Sequence, residues 1–147
     1  MRGPKAESFV VLNLRLLAVS FAVVGILFIA VPNGVLDTIT DLGEEIGNFS
    51  PAPHGDEQLW LALGFSYMVV ISGLCLLAQS DVVRYRPLIL LLAVGKTASS
   101  LSTLGFYLFD DDVFAYLLNF LVDGGLAILA LWLWSLAGRV ERSPAPG

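Results

Sequence analysis

Four stretches of the chain stay apolar for about the 20 residues a helix needs to cross the hydrocarbon core of a bilayer: 9–31, 59–79, 87–109 and 113–137. No other feature constrains the fold as strongly, because a segment in lipid must satisfy its own backbone hydrogen bonds, and an α-helix does so. The chain has 147 residues, so the four runs leave little for a water-soluble domain. Composition agrees, with 56% hydrophobic residues, 14% charged residues and a mean hydropathy of +0.79, far from the soluble range. The expected fold class is an all-α membrane protein, a single domain over 1–147 built as an antiparallel bundle of four transmembrane helices. The first run follows Arg2 and Lys5 as a secretory signal would, but it is longer than a signal core and ends without a small-x-small cleavage site. It is read as a retained helix, and the tail 139–147, ending in Ser-Pro-Ala-Pro-Gly, as disordered.

Charge gives the threading. Arg2, Lys5 and Arg15 flank the start of the first run, Arg84 and Arg86 separate the second from the third, and Arg139 and Arg142 follow the fourth. Four crossings put all of these on one side, which the positive-inside rule makes cytoplasmic, with both termini. The expected location is the cell's plasma membrane. The other side receives Asp37, Asp41, Glu44, Glu45, Asp56 and Glu57, then Asp110, Asp111 and Asp112. The aspartate triplet reads as a solvated turn, since it lacks the glycine-spaced pattern of a calcium loop. Trp60, Tyr85, Trp132 and Trp134 stand near span ends, where amphipathic rings anchor at the interface.

Between the first two spans, Val35, Ile39, Leu42, Ile46 and Phe49 recur at intervals of four, three, four and three, lining one face of a helix over about 34–49. Such a helix either lies in the outer interface with its apolar side down or caps the bundle. His54, the only histidine, falls in the following loop and reads as hydrated. No catalytic cluster and no metal-ligand set stands out. Cys75, the only cysteine, lies within the second run and reads as a buried thiol. Nothing reads as a nucleic-acid surface, and no cofactor is implied by the residues alone.

Lys96 is the anomaly. Gly95-Lys96-Thr97 has the ending of a phosphate loop, but that motif needs a glycine at position 90, after a strand, where this chain has Leu90 in an apolar helical run. An ammonium group at mid-membrane costs about 2.5–3.5 kcal/mol on insertion scales, so a partner is expected. Asp123 is the acidic residue within a span. At the α-helical rise, Lys96 lies roughly 20 Å below the outer end of the third span and Asp123 roughly 15 Å below that of the fourth. The aspartate turn makes these spans antiparallel neighbours, and a lysine side chain covers the remaining roughly 5 Å.

A polar seam surrounds the expected pair. Lys96, Ser99, Ser100, Thr103 and Tyr107 follow helical spacing on the third span, Tyr116, Asn119 and Asp123 on the fourth, and Tyr67, Ser66 and Ser72 on the second complete the lining. Gly124 and Gly125 permit close helix approach. Three roles are open for the seam: structural glue that sets register, a ligand or proton site, or a lysine that snorkels toward the cytoplasmic interface.

The punctuation of the chain resembles the DoxX-like group of small bacterial four-span membrane proteins. The resemblance covers roughly Leu14 to Trp134. It rests on Gly25 and Pro32 closing the first span, the stretch LWLALGFSYMVVISGL, the basic turn SDVVRYRPL, GKTASSL in the third span and FLVDGG in the fourth. It implies association with membrane-bound redox systems that use quinones or thiols; a lone Cys75 cannot run a dithiol cycle. The preferred expectation is a non-catalytic accessory or self-assembling subunit of a membrane complex, with lipid and other membrane subunits or its own copies as partners. The alternatives are a binder or transporter of a small amphipathic ligand, a quinone or a lipid, at the Lys96 and Asp123 seam, and a subunit of a membrane oxidoreductase.

Overall fold

The computed structural model describes residues 4–54 and 58–141, and these form five helices and no strand. They are α1 (Pro4–Ala30), α2 (Pro32–Ile46), α3 (Gln58–Ser80), α4 (Arg86–Phe109) and α5 (Phe114–Glu141). Four of them, α1, α3, α4 and α5, are long and apolar enough to cross a membrane, so the chain reads as a multi-pass membrane protein.

Proline sets the first break. α1 closes with the Val31 amide donating to Leu27 O at 2.9 Å, and Pro32, with no amide hydrogen, then starts α2 at its first turn. α2 ends at Ile46, capped by the Gly47 amide on Gly43 O at 2.9 Å. Phe49 therefore lies beyond the helix and packs against Phe114 instead, ring centroids 5.1 Å apart and planes tilted by 56°. α2 turns Gly43, not the Leu42 and Ile46 side, toward the bundle. Gly43 is buried against Phe114, so close that a Cβ there would come within 2.6 Å of the Phe114 Cβ, whereas Leu42 and Ile46 remain exposed. At its other end, α5 continues past Ala137 through Glu141, taking Arg139 out of the expected tail; 142–147 lie outside the described residues.

α4 pairs most extensively with α5 and α1 with α3, while α1–α5 and α3–α4 contacts are sparser and close the bundle. Within the tight pairs, contacts run in opposite chain order. Arg86 meets Trp134, Lys96 meets Asp123 and Ser100 meets Phe120 on one side; Arg15 meets Gln79 and Gly25 meets Met68 on the other.

Each spanning helix turns one stripe inward: Val10, Leu14, Leu17 and Phe21 on α1; Ile71, Cys75 and Ala78 on α3; Ile89, Leu92 and Ala93 on α4; Ala130, Leu133 and Ala137 on α5. Lys96 and Ser100 continue the α4 stripe, and Asp123 and Ala127 the α5 stripe. The charges thus occupy positions that helical periodicity reserves for the interior. Outward faces carry Leu16, Val19, Val70, Leu91, Leu101 and Ile128, all exposed, which costs nothing where lipid rather than water covers them.

The two ends differ in charge. Arg15, Arg84, Arg86 and Arg139 gather at one end. There the Arg15 Nε donates to Gln79 Oε1 at 2.7 Å, and the Arg86 guanidinium lies 4.3 Å from the Trp134 ring centroid. At the acidic end the two loops are stitched together: the Ser50 amide and hydroxyl donate to Asp112 O and Oδ1 at 3.2 and 2.7 Å, and the Ala52 amide donates to Thr40 Oγ1 at 3.1 Å. Asp112 is thus a latch as well as a solvated residue. His54, expected to be merely hydrated, is exposed but stands with its Nε2 2.8 Å from Asp37 Oδ1.

Candidate functional site

Lys96 and Asp123 meet inside the bundle. The lysine Nζ donates to Asp123 Oδ1 at 2.9 Å, and the two side chains are 3% and 7% exposed. Snorkelling is ruled out by that placement, because a lysine reaching for the interface would direct its ammonium to an end of the bundle rather than across it. The Phe21 ring of α1 lies under the same ammonium, its centroid 4.7 Å away, and the Tyr67 ring of α3 faces it at 5.6 Å. One charge on α4 is therefore touched by each of the other three spanning helices. The aromatic faces contribute because their quadrupoles attract a cation, and more strongly where water is excluded.

The hydroxyl and amide residues form a second layer toward the acidic end. Ser100 Oγ donates to Phe120 O at 2.8 Å, crossing from α4 to α5 where Gly124 leaves room: a Cβ at Gly124 would lie 3.1 Å from that oxygen. Asn119 Nδ2 donates to Ser99 Oγ and Thr103 Oγ1, both at 3.3 Å, and Thr103 Oγ1 donates to Ser99 O and Ser100 O at 3.1 Å. Lys96, Ser99, Ser100, Thr103, Asn119 and Asp123 thus form two adjoining polar layers between α4 and α5, and Tyr67 joins them from α3.

Four expected members stand apart. Tyr116 packs on Phe106 at 5.8 Å between centroids, and Tyr107, half-buried beside it in sequence, joins neither layer. Ser66 is exposed and donates to Ala62 O of its own helix. Ser72 is buried but donates back to Met68 O, so its hydroxyl is spent on α3 rather than on the pair. Gly125 has open space where Gly124 has a neighbour, so close approach is made through one of the two glycines. Phe21 had no mark in the sequence, and Gly95 stood out only as the glycine of Gly95-Lys96-Thr97, not as a neighbour of Tyr67. Gly95 lies beneath the Tyr67 hydroxyl, which would stand 3.3 Å from a Cβ there. Cys75 is buried, 1% exposed, within the apolar core.

Chemically, the pair is compensated: each ion neutralises the other, as a carboxylate poised to exchange protons with a transported cation would not be. Lys96 makes one hydrogen bond and turns toward two aromatic faces, and Asp123 accepts through one oxygen. Compared with protein-family models, with curated proteins and with solved structures, the chain has no match in any of the three.

Proposed function

We propose that this chain is a non-catalytic subunit of a plasma-membrane complex, assembling with other membrane subunits or with copies of itself. In this reading it is an antiparallel four-span bundle of the DoxX-like kind, with both termini in the cytoplasm and α2 on the outer side. The observation that carries the proposal is the closure of the Lys96–Asp123 pair at 2.9 Å within an interior that all four spans wrap. A buried pair of this kind fixes the register of its helices and leaves no free ion at mid-depth to act as nucleophile or general base. The exposed apolar stripes on every span then supply lateral surface for lipid or neighbouring subunits. The Leu42 and Ile46 edge of α2 supports its lying at the interface, greasy side toward lipid.

Extraction in a mild detergent followed by native mass measurement tests this reading. The expected result is a mass above that of one 15.8 kDa chain, from copies or from retained partners. A protein recovered only as a free monomer, in several detergents and after crosslinking in the intact membrane, overturns it.

A further inference from the structure

Like Lys96, Arg15 carries a charge well inside a spanning helix, but on the outward face. It shares that face of α1 with Leu12, Leu16, Val19 and Val23, all exposed. Its side chain reaches α3, where the Nε donates to Gln79 Oε1 at 2.7 Å. An Nε–H can only donate, so the amide oxygen of Gln79 faces the guanidinium and the amide nitrogen is left over. Among the described residues neither that nitrogen nor the two terminal nitrogens of Arg15 has a hydrogen-bond partner, and Arg15 forms no ion pair. Asp81, two residues beyond Gln79, is turned to the Arg84 amide, which donates to its Oδ1 at 2.9 Å. Gln79 is the next-to-last residue of α3, so the contact stands where the apolar span gives way to the headgroup layer at the basic end. A guanidinium on a lipid-facing surface without a counter-charge is costly, and marks a site whose partner has to be named.

We propose that Arg15 and Gln79 hold the phosphate of an anionic phospholipid in the leaflet at the basic end. The ligand chemistry follows from the donor set. Every unused group in the pair donates and one of them is cationic, so the matching partner accepts only and is negative. The two terminal nitrogens of the guanidinium take two phosphate oxygens at once, and the Gln79 amide adds a further donor beside them. The bond from Nε to Gln79 fixes the plane of the guanidinium before a lipid arrives. A zwitterionic headgroup brings its own ammonium, which competes with Arg15 for the phosphate, so a headgroup of net negative charge is preferred. The surface around the pair selects lipid over free phosphate. Leu16, Val19 and Val23 continue from Arg15 toward mid-span on the same exposed face, an apolar bed for the acyl chains.

The test mixes the full chain, in mild detergent, with equal amounts of phosphatidylglycerol and phosphatidylcholine of the same acyl chains, and counts the lipids retained per chain by native mass spectrometry. Phosphatidylglycerol is expected to be retained over phosphatidylcholine on the order of tenfold, as for charge-assisted hydrogen bonds. Arg15→Gln should bring that ratio close to unity. Gln79→Leu changes no charge and should still lower it on the order of threefold, because the amide donor and the fixed plane of the guanidinium are lost. Arg84→Gln removes another exposed cation from the same end and should leave the ratio unchanged. If Arg15→Gln fails to fold, the contrast between Gln79→Leu and Arg84→Gln decides the case. A ratio close to unity in the native chain, an equal drop in Arg84→Gln and Arg15→Gln, no change in Gln79→Leu, or displacement of the lipid by inorganic phosphate overturns the proposal. The count is made per chain, so failure here leaves the assembly reading standing.

Discussion

The Lys96 ammonium lies between Asp123 Oδ1, 2.9 Å away on α5, and the face of Phe21, 4.7 Å from its centroid on α1. The register of α4 is therefore tied to two helices at one atom. Removing either ion strands the other in a dry interior, which typically costs 3–5 kcal/mol, while removing both leaves an apolar core of similar volume. Lys96→Met and Asp123→Leu should each destabilise by about 3–5 kcal/mol, and the double variant should recover most of that loss. Unfolding in detergent, run as a double-mutant cycle, measures the coupling; additive losses would mean that the contact carries no energy of its own.

Much of this was legible beforehand because the helical rise is constant. The heights of Lys96 and Asp123 follow from counting residues down from the Asp110–Asp112 turn, and that turn is too short for the two helices to be anything but neighbours. The interior direction of both side chains was legible as well, since 89, 92, 93, 96 and 100 form one α4 stripe. Phe21 was not. On a helix that is apolar all round, no residue marks which face meets the neighbours, so a phenylalanine beneath a cation looks like any other phenylalanine. Phe49 failed for the opposite reason. It fits the α2 period, but Gly47 ends the helix first, and periodicity does not register a stop.

Gly43 is expected to be the position least able to accept a side chain. Its ideal Cβ falls 2.6 Å from the Phe114 Cβ and 2.9 Å from the Cγ, atoms held close to the α5 backbone that cannot swing away. Gly43→Ala should therefore push α2 off α5 and cost about 1–3 kcal/mol, as overpacking does. Gly64→Ala, with nothing within 4 Å, is the matched comparison and should be neutral or gain up to about 1 kcal/mol of helix propensity. Melting temperatures of the two variants in the same detergent check the contrast.

The single cysteine makes threading measurable without first removing it. Cys75 is 1% exposed, so a membrane-impermeant maleimide should leave the folded chain unmodified. Arg84→Cys and Asp111→Cys place thiols on exposed turns at the basic and acidic ends. In sealed, right-side-out vesicles, Asp111→Cys should label at once and Arg84→Cys only after permeabilisation, as the positive-inside rule requires. Labelling of both from the same side would refute the four-crossing path.

Asn119 probes whether the seam acts as one unit or two. Its amide serves Ser99 and Thr103, each at 3.3 Å, and shares no hydrogen-bond partner with Lys96 or Asp123. Interhelical hydrogen bonds of this kind in membranes average about 0.6 kcal/mol, reaching roughly 1.7 at most. Asn119→Leu should thus cost at most about 1.7 kcal/mol, well below either ion-pair variant. Combined with Lys96→Met, the losses should add within about 0.5 kcal/mol, because coupling requires a shared partner or direct contact. A coupling clearly larger than that would mean that the hydroxyl layer holds the lysine in place, and that the two layers form one cooperative polar core.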